Sequence, residues 1–158
     1  MQKMFGDRFS MTDLSGKTWM AIGETDDPNA VIETFACGAA VTKGDPVYLS
    51  ADDVVSPAAA AQDCIGVAVK SQATVGGPVP VLTRGRVKVA AGGVITRGKA
   101  VYGASGAKRV LMLADVSQAV DEGGAAKYTV AVTFNQKLGY AFETTAADGD
   151  LLFIEVGK

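Results

Sequence analysis

The chain has 158 residues, with 15 Lys and Arg against 17 Asp and Glu, 19 Gly, two Cys and no His. That length suits one domain, or one compact domain with an arm, burying roughly 70% of the unfolded chain's surface. Without His, no Ser-His-Asp or Cys-His arrangement is possible, and a pI near 5.1 supplies no basic field for nucleic-acid phosphates.

In chain order, residues 1–30 come first and differ from the rest. They hold the only Trp, Trp19, and a polar turn-rich run at 24–30, and no period of 2 or 3.6 passes through them. The reading is an extended arm ordered by contact with something else, or a frayed terminus. The first residues contain no apolar core of a signal peptide, so cytoplasmic synthesis without secretion is expected. From Val31 the texture becomes short apolar runs cut by Gly, Pro or Asp, which predict strands at 31–36, 45–50, 64–70, 78–82, 86–90, 99–103, 128–134, 138–142 and 151–156. The helical candidate is 108–121, with Leu111, Ala114, Val116 and Val120 partly in step with a 3.6 period. The longest uncharged run, Ser71 to Thr83, carries two Pro and two Gly and is too short to span a bilayer, so no membrane partner is expected.

An internal repeat organises these strands. GAAVTKGDPVYLS at 38–50 aligns without gaps on GGVITRGKAVYGA at 92–104, a spacing of 54 residues. Further on, IGVAV (65–69) answers LGYAF (138–142), and GPVPVLTRG (77–85) answers GDLLFIEVG (149–157). Those spacings are about 72–73, so the second copy carries roughly 18 extra residues, assigned to 107–127. A lone unit of three or four strands leaves a face or an edge uncovered, whereas two packed copies can close it. The expected architecture is therefore all-β: a small β-barrel or β-sandwich built from repeated units at approximately 38–90 and 92–157 within a β domain at 31–158, behind an arm at 1–30.

No motif assembles a catalytic, cofactor or metal site. SGKT at 15–18 lacks the upstream Gly of a phosphate-binding loop and reads as a turn. The acids at Asp26-Asp27, Asp52-Asp53 and 148–150 do not converge at a metal or hydrolase spacing, and DG before LLFIEV is a turn signal. Cys37 and Cys64 read as small buried residues, with a single disulfide between them left open. Arg84, Arg86 and Lys88 alternate along one strand face, either a contact stripe for an acidic protein surface or a solvated face. Met4, Phe5, Trp19 and Met20 are large apolar residues in an aperiodic segment, which either pack back on the core or insert into a neighbour.

The runs GAAVTKGDPVYL, DCIGVAV, GPVPVLTRG, GKAVY and LGYAFETTAADGDLLFIEV resemble the capsid cement, or head decoration, proteins of tailed bacteriophages. Their recurring pattern is G-x-x-V-x-x-G-D-x-V, then I-G-V-A, then a closing L-G-x-A-x-E-x-x-A-x-D-G-D. The resemblance covers about 31–157. It implies a β-barrel-like domain that trimerises on the outer surface of the mature head, bridges major capsid protein subunits and uses no cofactor. The expected capsid-facing or subunit-facing residues are Phe5, Phe9, Trp19 and Met20 of the arm with Arg84, Arg86 and Lys88. A second reading keeps the virion but makes the chain a module of a head fibre or baseplate, with Tyr48 and Tyr102 as candidates for host carbohydrate. A third, an enzyme working with carboxylates alone, has no converging acids behind it.

Overall fold

The computed structural model describes residues 11–12, 18–59, 62–104, 109–113 and 137–157. Its elements are strands: β1 (Met11–Thr12) and β2 (Thr18–Trp19) in the arm, then β3 (Val31–Cys37), β4 (Pro46–Ala51), β5 (Val54–Pro57), β6 (Cys64–Ala68), β7 (Pro78–Gly92), β8 (Ala100–Gly103), β9 (Arg109–Met112), β10 (Lys137–Ala141) and β11 (Asp148–Val156). Val, Ile, Leu, Tyr and Phe recur along them, side chains that pack well on a pleated, half-buried surface.

β7 organises the molecule. Its first half pairs with β3 and β6, and its second half with β11 and β9. The pairings run β7–β3–β5–β4–β6 and back to β7, then β7–β11–β10–β8–β9 and back to β7. Two circuits of five strands thus share one long strand, and each removes most of its own free edges. β7 closes the first unit and opens the second, with Gly85 at the passage between them. Its φ of 117° suits only glycine, and a Cβ there would stand 2.9 Å from the Ala30 Cα.

The repeat survives in three dimensions at the level of single hydrogen bonds. The Gly44 amide donates to the Ala68 carbonyl at 2.7 Å, and the Gly98 amide to the Ala141 carbonyl at 2.7 Å. Val69 donates to Pro80 in one unit, Phe142 to Phe153 in the other. Val41 bridges Gln72 as Ile95 bridges Thr145. Gly66 and Gly139 are glycines for one shared reason: a Cβ would strike the carbonyl of Leu82 in the first unit and of Glu155 in the second. All seven buried residues of the first core, Cys37, Val41, Val47, Val55, Ala68, Val79 and Val81, have counterparts in the second: Ala91, Ile95, Val101, Val110, Ala141, Leu152 and Ile154. Each fully buried Val or Ile side chain contributes about 1.5–3 kcal/mol relative to exposure.

Three expectations change. The strands at 78–82 and 86–90 are one continuous strand of 15 residues, because Gly85 bends the backbone without ending the ladder. Arg109–Met112, expected to be helical, is β9, the counterpart of β5; pairing with β7 and β8 overrides the weak 3.6 period. β5 itself was hidden in a four-residue run whose Ser and Pro broke the apolar pattern. The rest of the helical candidate and the strand expected at 128–134 lie outside the described residues. From Val54/Arg109 to Cys64/Lys137 the offset grows from 55 to 73, which puts the extra length between Met112 and Lys137.

Candidate binding surfaces

The basic stripe is taken apart by the fold. β7 and β11 pair in a register that sets Phe153 opposite Lys88 and Glu155 opposite Arg86. The Phe153 ring is therefore flanked by two cations, with the Arg86 guanidinium 4.1 Å and the Lys88 ammonium 4.2 Å from its centre. Arg86 also lies 5.3 Å from the Phe142 ring and 3.7 Å from an Asp26 carboxylate oxygen, and Lys88 pairs with Glu143 at 3.4 Å. Lys88 is only 8% exposed. The ring quadrupole holds both cations over the aromatic face, Lys88 buried and Arg86 half-buried, so both side chains are engaged within the chain. Arg84 is the exposed member of the stripe. Phe153 escapes the sequence because only cross-strand register sets it opposite Lys88, and Asp26, Phe142 and Glu143 escape it because they reach the two cations from outside the paired strands.

The end of the arm is tied down through its backbone. The Gly23 amide donates to the Lys88 carbonyl at 2.7 Å, and the Lys88 amide to the Glu24 carbonyl at 2.9 Å. These bonds add a short stretch of arm to the open side of β7. The Glu24 carboxylate accepts the Ala21 amide at 3.0 Å and pairs with Lys43 at 3.1 Å. The Ala21 hydrogen bond, aided by Lys43 and partly opposed by burial, holds its pKa below the usual carboxylate value. Asp27 follows, accepting the Asn29 amide at 2.8 Å and the Arg86 amide at 3.3 Å. Of the expected arm contacts, Trp19 lies in β2 and Met20 is half-buried, while Phe5 and Phe9 lie outside the described residues.

β3 has a different surrounding. Val31, Ile32, Glu33 and Thr34 are all exposed, Val31 at 42% and Ile32 at 48%. β7 covers one edge along Val31–Ala36, but on the other edge β5 reaches only Ala36 and Cys37. Beside Val31 a depression of about 370 Å³ is lined by Asp27, Asn29, Val31, Arg84, Gly85 and Glu155, at the junction of the two units. Further exposed apolar side chains are scattered: Leu49, Val75, Val94, Tyr140, Phe142 and Leu151.

Among the described residues no three His, Cys, Asp or Glu stand together as a metal site would require. Both cysteines are free thiols. Cys37 donates to the Ala39 carbonyl at 2.8 Å, and burial pushes the Cys64 thiol up to about 12. Asp52 and Asp53 form the turn between β4 and β5, with Asp53 at φ 56°. Asp150 accepts the Ala146 and Ala147 amides, both at 2.9 Å, in the turn leading into β11, and these bonds lower its pKa. Tyr48 and Tyr102 are half-buried at equivalent positions of β4 and β8.

No curated protein sequence matches the chain. Among solved structures, the crystal structure of the head fibre gp8.5 N base of bacteriophage phi29 is similar, with a TM-score of 0.53 at 20% identity over 81% of this chain and 94% of that one. At that identity the likeness speaks for the fold, and it agrees with the all-β class. Residues 27–157 match the phage cement protein family, from the Asp27 turn to the Gly157 that closes β11, so the chain belongs to that family and is a structural protein of the phage capsid.

Proposed function

We propose that the protein binds the outer surface of a phage head as a homotrimer and stabilises the shell by bridging major capsid protein subunits. The family match carries this reading. The described residues support it: exposed apolar side chains and an edge of β3 that no other described strand covers are presented on two closed units. A trimer offers three copies of every patch at once, so weak contacts sum through symmetry. The arm, through Phe5, Phe9, Trp19 and Met20, and the exposed Arg84 are the contacts proposed to face the capsid or a neighbouring subunit. Arg86 and Lys88 shape that surface from beneath.

The test is addition of purified protein to expanded heads that lack it, followed by electron microscopy and a capsid-stability assay. Saturable density on the outside of the shell and greater resistance to rupture are expected. Deleting residues 1–20 is expected to weaken binding, and unchanged binding removes the arm from the account.

The phi29 neighbour favours a second reading, in which the chain is the capsid-attached base of a fibre. Density extending away from the shell beyond the size of this chain would select it. Carbohydrate binding through Tyr48 and Tyr102 has less support, since both rings are half-buried.

A further inference from the structure

We infer that the open edge of β3, Val31–Phe35, is a docking strand: it takes up an extended segment of the major capsid protein that carries a basic side chain facing Glu33. The inference deepens the capsid-binding reading and rests on it.

The repeat reveals the vacancy. Thr34 and Lys88 are equivalent positions, 54 residues apart, each set in the opening strand of its unit. At Lys88 the outward amide and carbonyl are both taken by the arm, through Glu24 and Gly23. At Arg86, the counterpart of Ile32, the outward amide is taken by Asp27. On β3 the same groups face outward. The Ala36 amide donates to Asp53, away from β7, so the two-residue alternation of an antiparallel ladder sends the groups of Thr34 and Ile32 the same way. Pairing agrees: Thr34 faces Pro80, which has no amide hydrogen and whose carbonyl accepts Val69 on its far side. Among the described residues none takes the outward groups of Ile32 or Thr34.

The side chains select the occupant. An edge of this kind is a template for another strand, and a charge on it blunts indiscriminate pairing while favouring a strand of opposite charge. Antiparallel pairing of two β3 strands about their centre would set Glu33 against its own copy, and like charges directly opposite destabilise a ladder. A segment with Lys or Arg at that position is favoured instead, with apolar neighbours to cover Ile32 and Val31. At the Val31 end the junction depression leaves room for a side chain of that segment.

The experiment titrates expanded heads lacking the protein with wild type, Thr34→Pro, Glu33→Arg and, as a control, Lys70→Gln in the exposed bend after β6. Proline at 34 removes an outward amide while leaving the β7 ladder intact. Thr34→Pro and Glu33→Arg are expected to bind at least about tenfold more weakly, the loss of one or two net hydrogen bonds or one charge pair per copy, multiplied by avidity. Their thermal midpoints and oligomeric mass stay at the wild-type values, and Lys70→Gln binds normally. If Thr34→Pro unfolds, Glu33→Arg decides. Wild-type binding by both variants overturns the inference, as does a change in oligomeric mass without heads, which would assign the edge to pairing between copies. Failure of the wild type itself to bind removes the capsid reading and this inference with it.

Discussion

The two units share seven core positions, the same turn hydrogen bonds and the same glycine contacts, yet they treat their opening strands in opposite ways. In the second unit the arm lies along β7 at Lys88, and Arg86 and Lys88 close over Phe153. In the first, the equivalent stretch of β3 carries Ile32, Glu33 and Thr34 into solvent. A duplicated unit needs an identical interior to fold, but its edges are free to diverge. Here one edge is completed within the chain, and the other is left for a partner.

The largest effects test what the units share. Gly66→Ala and Gly139→Ala each drive a methyl into a backbone carbonyl of the neighbouring strand, which cannot swing aside. Each is expected to destabilise by about 3 kcal/mol or more, lowering the thermal midpoint by roughly 6–12 °C. A much smaller loss at one site would show that the two units are not built on the same close approach. Next come paired prolines at the divergent edge. Lys88→Pro removes the bond to Glu24 and the ammonium over Phe153, for an expected loss of about 2–3 kcal/mol in chemical denaturation, whereas Thr34→Pro stays within about 0.5 kcal/mol. Equal losses at the two positions would erase the distinction between a covered and an open edge.

A smaller effect comes from the arm's anchor. The folded pKa of Glu24 lies below its unfolded value, chiefly through the Ala21 amide. Its contribution is therefore complete above the ordinary carboxylate range and is lost as pH falls through the lower folded value. Because the side chain is well exposed, Glu24→Gln is expected to cost less than about 1 kcal/mol at pH 7 and to flatten the acid side of the stability profile. A profile identical to wild type would detach Glu24 from arm docking. The last prediction involves no loss of stability. With its pKa near 12, Cys64 is expected to resist alkylation at pH 8 in a Cys37→Ala background and to react once the protein is denatured. Rapid labelling of the native protein would mean that the two units separate, since the thiol sits against Gly103 of the second unit.

Most of the fold was legible because its signals were local. Gly44 and Gly98 marked a turn that needs positive φ, and V-Y after each marked the strand that follows. The repeat then paired the units before any contact was known. What stayed hidden depends on register. Nothing in RGRVKV says that Phe153 lies across from Lys88, so a stripe of three cations read as one surface when only Arg84 is exposed. β9 stayed hidden because four residues cannot establish a period against tertiary pairing. The open edge of β3 left a trace: VIETFA puts Glu33 where the second unit has the buried Val87. That substitution gains its meaning from the described arm residues Gly23 and Glu24, which bond to β7 and not to β3.

Amide hydrogen exchange of free and head-bound protein, read at Lys88 and Thr34, tests the central claim most directly. Lys88 is expected to be protected in both states. Thr34 is expected to exchange freely in solution and to become protected on the head. Protection of Thr34 before heads are added, or its free exchange on saturated heads, would contradict the account.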